Sequence, residues 1–187
     1  FLIFIRAQRV IGQHIHALHI GQRVEESPQP GESPRTLARR LAALKADTVL
    51  ARHPDALVIG SDQVGTLDGH TPVGKPGTLE RAVAQLQAAS GRSMHFHTAL
   101  ALRAAGQPAI DDCVDVQVRF RTLTAAEIRA YLARDPDALH CAGSARCEGL
   151  GISLLEAIHS DDPSALIGLP LIRLAAHLRT LGLDPLG

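Results

Sequence analysis

Leu57-Val58-Ile59-Gly60-Ser61-Asp62-Gln63 decides how this chain is read. A short unbroken apolar run reads as a buried strand, and this one delivers Ser61, Asp62 and Gln63 at its end. Upstream, Ser33-Pro34 opens a helix, with Ser as N-cap and Pro at the first helical position. Leu37, Leu41, Leu44 and Thr48 follow at helical spacing to about His53, where Pro54-Asp55 breaks the period. Downstream, Asp68-Gly69 marks a turn and Gly74-Lys75-Pro76-Gly77 a stiff loop. Thr78 caps a second helix carrying Leu79, Ala82, Val83, Leu86 and Ala89 on one stripe, stopped by Gly91. Two strands are expected near 94–103 and 113–121; in the second, Val114, Val116, Val118 and Phe120 alternate with Asp115, Gln117 and Arg119. Thr124-Ala125-Ala126-Glu127 has the form of a capping box for a short helix. A Gly-rich turn region at 143–151, a strand near 152–158 and a last helix from Pro170, striped by Leu171, Leu174, Leu178 and Leu181, complete the pattern. Interleaved strands and helices without a repeat or linker predict one α/β domain over residues 1–187.

Composition narrows the function classes. The chain is 45% hydrophobic and 20% charged, the balance of a globular domain. Nineteen basic residues cancel nineteen acidic ones, so no nucleic-acid track or anionic membrane surface is expected. One Tyr, four Phe and no Trp are too few for a base-stacking platform. Cys113, Cys141 and Cys147 are odd in number and widely spaced, which predicts free thiols and a cytoplasmic setting. No apolar run approaches the roughly 20 residues that span a bilayer, and Phe1-Leu2-Ile3-Phe4-Ile5 is too short for a signal-peptide core. The chain does not open with Met, which points to a start upstream of Phe1.

Four positions carry candidate chemistry, each beside a plainer reading. Asp62, just past an apolar strand, reads as a metal-holding or proton-accepting carboxylate, or as a loop residue capping a turn. Lys45 falls in the middle of the first helix's inward arc, where it snorkels outward or meets an anion. Lys75 is a cation on an open, stiff loop suited to phosphate, or a solvated lysine. Glu25-Glu26 are carboxylates able to gather a divalent cation with substrate phosphates, or a hydrated pair. His14, His16 and His19 have metal-like spacing but no coherent period and no orienting carboxylate, so no metal site is expected there. His140-Cys141 with Cys147 reads as thiols beside a surface histidine.

Taken in order, these segments resemble the Maf family of nucleoside triphosphate pyrophosphatases. The matching stretches are Glu25-Glu26-Ser27-Pro28 with Gly31-Glu32-Ser33-Pro34, then Lys45, Ile59-Gly60-Ser61-Asp62-Gln63-Val64 and Gly74-Lys75-Pro76. Ser90-Gly91, Phe120-Arg121 and Gly168-Leu169-Pro170 follow. His140-Cys141-Ala142-Gly143-Ser144 with Glu148-Gly149 resembles the branch that acts on 7-methyl-GTP, whereas the dTTP/UTP branch carries a Lys-Ala-Gly-Ala-Tyr-like segment ending in Gln-Gly. The resemblance implies an α/β fold with an elongated, twisted mixed sheet flanked by helices, a homodimer, and a Mg²⁺- or Mn²⁺-dependent hydrolysis releasing pyrophosphate and a nucleoside monophosphate. It implies Asp62 as proton acceptor and metal ligand, Glu26 as metal ligand, Lys45 and Lys75 as phosphate neutralisers, and Gln63 and Glu148 as base readers. Two alternatives stand beside it: a pyrophosphatase for dTTP, UTP or a non-standard triphosphate, and a catalytically impaired nucleotide-binding or cell-division regulatory protein.

Residues 1–24 depart from the family pattern. The family opens with a strand leading into a Ser-x-Ser-x-x-Arg-Arg phosphate loop; Arg6 and Arg9 are present here without the serines. Permitted codons for Phe1-Leu2-Ile3-Phe4-Ile5, shifted by one base, spell Ser-Ser-Ser-Ser-Tyr. Residues 1–24 therefore read as an out-of-frame copy of the native segment, which implies loss of part of the phosphate clamp and of a strand's worth of core, strongly reduced turnover and a poorly ordered N-terminus.

Overall fold

The computed structural model describes residues 2–5, 17–19 and 25–186. Its strands form one sheet in the order β2-β1-β3-β5-β6-β7, with β4 also on β3. These are β1 (Leu2–Ile5), β2 (Ala17–His19), β3 (Leu57–Thr66), β4 (Pro72–Val73), β5 (Ser93–Ala104), β6 (Ile110–Phe120) and β7 (Leu155–His159). Helices α1 (Pro34–Leu50), α2 (Leu79–Ala89), α3 (Ala125–Arg134) and α4 (Leu171–Thr180) flank it. The expected α/β sheet with flanking helices is present, and every described pairing within it is antiparallel.

Strand β3 departs from its expected length. Sequence reading ends the strand at Gly60 and leaves Asp62 at its tip, but the strand runs on to Thr66. The cause is tertiary: β5 pairs with it without interruption from Leu57↔Ala104 to Thr66↔His95, so the ladder carries polar residues that no apolar pattern would mark. On its other edge β3 meets β1 along Leu57–Gly60 and β4 at Gly65–Thr66. Between them, residues 61–64 have no strand partner on that side among the described residues. Asp62 is thus mid-strand rather than at the strand's tip.

The period of two then distributes the motif over both faces. Ala56, Val58 and Val64 pack in one cluster with Leu37, Ala38, Leu41, Ala42, Ala46 and Val49 of α1. Leu57 and Ile59 pack with Leu100, Leu102 and Leu174 on the opposite face. A third cluster, between β5, β6, α2 and α3, contains Met94, Phe96, Val116, Phe120, Leu86 and Ile128.

Helix α1 lies close to β3 because small residues face one another. A Cβ on Gly60 would strike the Ala42 carbonyl oxygen and stand 3.0 Å from Ala46 Cβ. Gly60→Ala is therefore expected to push α1 off the sheet and cost about 1–3 kcal/mol. A denaturation midpoint equal to that of the parent protein would contradict this close packing.

The capping signals are where the sequence puts them. Ser33 Oγ accepts from Thr36 N at 3.2 Å, Thr78 caps α2, and Thr124 with Glu127 forms the capping box of α3. Three apolar assignments need correction. Leu79 and Leu171 are about half exposed (51% and 53%), and of the α4 stripe only Leu174 is buried. Both exposed leucines are the first residues of their helices. Leu44 is also exposed. The strand expected near 152–158 begins only at Leu155, because Leu150–Leu154 coils into a 3-10 turn.

The out-of-frame reading of residues 1–24, and His14 and His16 with it, lies largely outside the described residues. Within them, Leu2–Ile5 forms a strand paired antiparallel to β3. Among the described residues no helix is long and apolar enough to cross a membrane.

Candidate active site

Side chains on α1 and β3 meet first. Lys45, on α1's sheet-facing stripe, is buried. Its Nζ donates to Asp62 Oδ1 at 2.5 Å and pairs with Glu26 Oε1 at 2.8 Å. One ammonium therefore bridges two carboxylates. Burial opposes its charge, but the Asp62 charge and hydrogen bond and the Glu26 hydrogen bond outweigh burial and hold its pKa above the ordinary lysine value. Asp62 shows the opposite balance: burial pushes its pKa up, and Lys45 only partly offsets that. Glu26, more than half exposed, is held below the ordinary glutamate value chiefly by the Lys45 hydrogen bond, against a smaller burial effect.

The Glu26 loop is fastened by a residue that no motif marked. Arg40, on α1 ahead of Lys45, donates to both Glu32 carboxylate oxygens (2.7 and 2.9 Å) and to the Ser27 carbonyl (3.0 Å). Glu32 also accepts from Gln29 N at 3.0 Å. A sequence signal existed, since Glu32 and Arg40 are separated only by a turn and a helix start, but pairing across that stretch needs the fold to be known. Glu25 turns back on its own loop, accepting from Ser27 N at 2.9 Å, so Glu26 alone of the acidic pair reaches Lys45.

A cavity of about 580 Å³ gathers the rest, within the roughly 300–1,000 Å³ typical of small-molecule sites. Glu26, Lys45, Asp62, Gln63, Lys75 and Glu148 all line it, so every residue given a role from the sequence reaches one cleft. Lys75, exposed on its loop, helps to lower the Glu26 pKa and also acts on Cys141, whose thiol is pushed up first by burial and then by Glu148. Lys75 is therefore within electrostatic reach of both Glu26 and Cys141. Phe96 and Arg146 line the cleft as well; neither stood out in the sequence, because a strand phenylalanine and a loop arginine look structural until their surroundings are known.

Gln63 faces differently from Asp62. Its amide nitrogen is within 2.9–3.1 Å of Thr98 Oγ1 and the Ala165 and Leu166 carbonyls, and Thr98 Oγ1 donates to the same Ala165 carbonyl at 2.9 Å. Ser61 Oγ approaches the Ala99 and Gly168 carbonyls at 2.7 and 2.8 Å. These side chains pin the 163–168 turn, which closes one wall of the cleft.

The segment holding Glu148 turns sharply. Gly143 and Ser144 are both left-handed (φ 73° and 59°), and a Cβ on Gly143 would stand 2.7 Å from Met94 Sδ. Tyr131 Oη accepts from Arg146 N at 3.0 Å, and Arg146 Nε lies 3.4 Å from Asp135 Oδ1. Cys147 Sγ donates to Glu148 Oε2 at 3.6 Å. A buried ammonium beside a burial-raised carboxylate, with a second cation and a further carboxylate along one cleft, suits an extended polyanion with a base at its far end.

A sequence profile described as Maf-like protein matches residues 7–181. The chain belongs to the Maf family. Among its relatives is a protein of Xanthomonas axonopodis pv. citri, 56% identical over 160 residues, covering 85% of this chain and 82% of the relative. Another, from Bordetella pertussis, is 53% identical over 163 residues, with 87% and 80% covered. A third, from Chromobacterium violaceum, is 50% identical over 163 residues, with 87% and 84% covered. All three carry the name 7-methyl-GTP pyrophosphatase. The Maf resemblance drawn from scattered motifs therefore extends over most of the chain.

Proposed function

We propose that this Maf protein hydrolyses 7-methyl-GTP to 7-methyl-GMP and pyrophosphate. The observation that carries this reading is the single cleft lined by Lys45, Asp62, Lys75 and Glu148, in a chain at least half identical to proteins named for that activity. Lys75 and Lys45 neutralise the triphosphate as point charges. Asp62, held as a better base than an ordinary aspartate by burial, takes the proton of a water attacking the α-phosphorus. The bond from that phosphorus to the oxygen bridging to the β-phosphate breaks, and pyrophosphate leaves with the electron pair. Catalysis is positioning together with charge stabilisation in a partly buried site.

A divalent cation fits this donor set. Two carboxylates converge on Lys45 Nζ, and Mg²⁺ is commonly held by one or two carboxylates with substrate phosphates and water completing the shell. Glu26 and Asp62 would hold it, and it would supply Lewis-acid neutralisation of the phosphate oxygens. A homodimer, which rests on the family resemblance, and a cytoplasmic setting, which rests on the odd and widely spaced cysteines, belong to the same proposal.

Glu148 faces the base in this reading, and the 7-methylguanine ring carries a positive charge. Glu148→Gln keeps the shape and removes the attraction, so the preference for 7-methyl-GTP over GTP should fall by about 10-fold or more. Pyrophosphate release from 7-methyl-GTP, GTP, dTTP and UTP, with and without Mg²⁺, tests both points. A parent protein that favours dTTP or UTP would overturn the substrate assignment.

A further inference from the structure

Lys75 and Glu148 come from distant parts of the chain, and one glutamine ties their segments together. Gln85, half-buried on α2, donates from Nε2 to the Gly74 carbonyl at 3.0 Å, immediately before Lys75. Its Oε1 accepts from Ser144 Oγ at 2.5 Å, in the segment that leads to Glu148. Both ends of the amide are thus engaged, one by the phosphate-side loop and one by the base-side segment. A second link runs beside it, from Gly77 N to the Leu139 carbonyl at 3.1 Å.

Ser144 shows why the link matters. It is fully buried, and it is the single non-glycine with positive φ among the described residues (φ 59°). A left-handed serine persists only where its surroundings over-determine it. Here Gln85 receives its hydroxyl, and Gly143 beside it, also left-handed, is pressed against Met94 and Phe96. Neither Gln85 nor Ser144 lines the cleft, so neither touches the nucleotide directly.

We infer that Gln85 is a positioning residue that fixes the separation between Lys75 and Glu148, and so sets how well the cleft matches a triphosphate and its methylated base at once. This inference rests on the pyrophosphatase reading above. A rigid bridge lets binding at the two ends reinforce each other; without it, each end adjusts separately and selectivity falls more than folding does.

The test measures kcat, KM and the 7-methyl-GTP/GTP preference, with thermal unfolding midpoints, for Gln85→Ala, Ser144→Ala, the double variant and Gln85→Glu. Gln85→Glu keeps the acceptor for Ser144 and loses the donor to Gly74. Gln85→Ala should lower kcat/KM for 7-methyl-GTP by about 10-fold or more, the scale expected of a small displacement of a binding group. The 7-methyl-GTP/GTP preference should drop with it. Ser144→Ala should do the same, and the double variant should be no worse than the poorer single one, because both break one bridge. Gln85→Glu should recover part of the preference. Variants that lose only thermal stability while keeping the parent's preference, or single effects that add in the double variant, overturn the bridge and leave the pyrophosphatase reading standing. A parent protein that releases no pyrophosphate from any of these nucleotides removes both.

Discussion

Asp62→Asn is expected to lower turnover of 7-methyl-GTP by about 10²–10⁴-fold, the range of general-base catalysis, while nucleotide binding falls far less. The substitution preserves shape and the contact to Lys45 through the amide oxygen, and it removes the proposed proton acceptor. The pH profile sharpens the test. Burial raises the Asp62 pKa above its ordinary value of 3.8 despite the neighbouring ammonium, so the active carboxylate form is lost at a higher pH than for an exposed aspartate. The kcat/KM profile of the parent should therefore fall on the acid side as pH drops through that raised value. The residual activity of Asp62→Asn should lack this limb. Turnover of the variant within a few-fold of the parent would end the assignment of Asp62 as base.

Lys45→Met should produce the second large effect, and in two measurements. The ammonium bridges Glu26 and Asp62 and, in the proposed mechanism, neutralises the phosphate chain, so kcat/KM should drop by about 10²–10³-fold, as when one preorganised electrostatic partner is removed. Stability should also fall, because breaking a buried pair leaves a charge without its partner, at a cost of up to about 3–5 kcal/mol. The actual loss is smaller to the extent that Asp62 takes up a proton. Without Lys45 the Asp62 pKa loses its main lowering influence and rises further. A carboxyl whose folded pKa exceeds its unfolded one stabilises the fold fully below the unfolded value and loses that contribution as pH rises through the folded value. The stability deficit of Lys45→Met should thus be greatest at neutral pH and shrink on mild acidification. A deficit independent of pH would show that Asp62 does not carry the unpaired charge.

Much of the fold was legible before any coordinates. Ser33-Pro34, Thr78 and the Thr124–Glu127 box start their helices because capping is a local hydrogen bond between a side chain and the next turn. The alternation through β6 reads correctly because a half-buried strand writes its two environments into successive residues. Strand β3 reads only in part: its second half is polar, and pairing with the whole of β5 extends it. Leu79 and Leu171 misled because a helical stripe shows which face is apolar, not how far the neighbouring sheet reaches beneath it.

The sequence by itself marked the residues proposed for the site. Lys45 on an inward helical face, Asp62 after an apolar run, Lys75 between glycine and proline, and Glu26 in its acidic pair are local facts of period and composition, whereas Glu148 stood out only through the family resemblance. Tertiary structure alone decided the rest: that Asp62 and Gln63, adjacent in sequence, serve opposite faces of one sheet; that Arg40 anchors the Glu26 loop; and that Gln85 joins the Lys75 loop to the Glu148 segment. The reason is physical. Helical and strand periods act over a few residues and leave a mark on each of them, whereas a hydrogen bond such as that from Ser144 to Gln85, 59 positions apart, depends on where two separate elements finally pack.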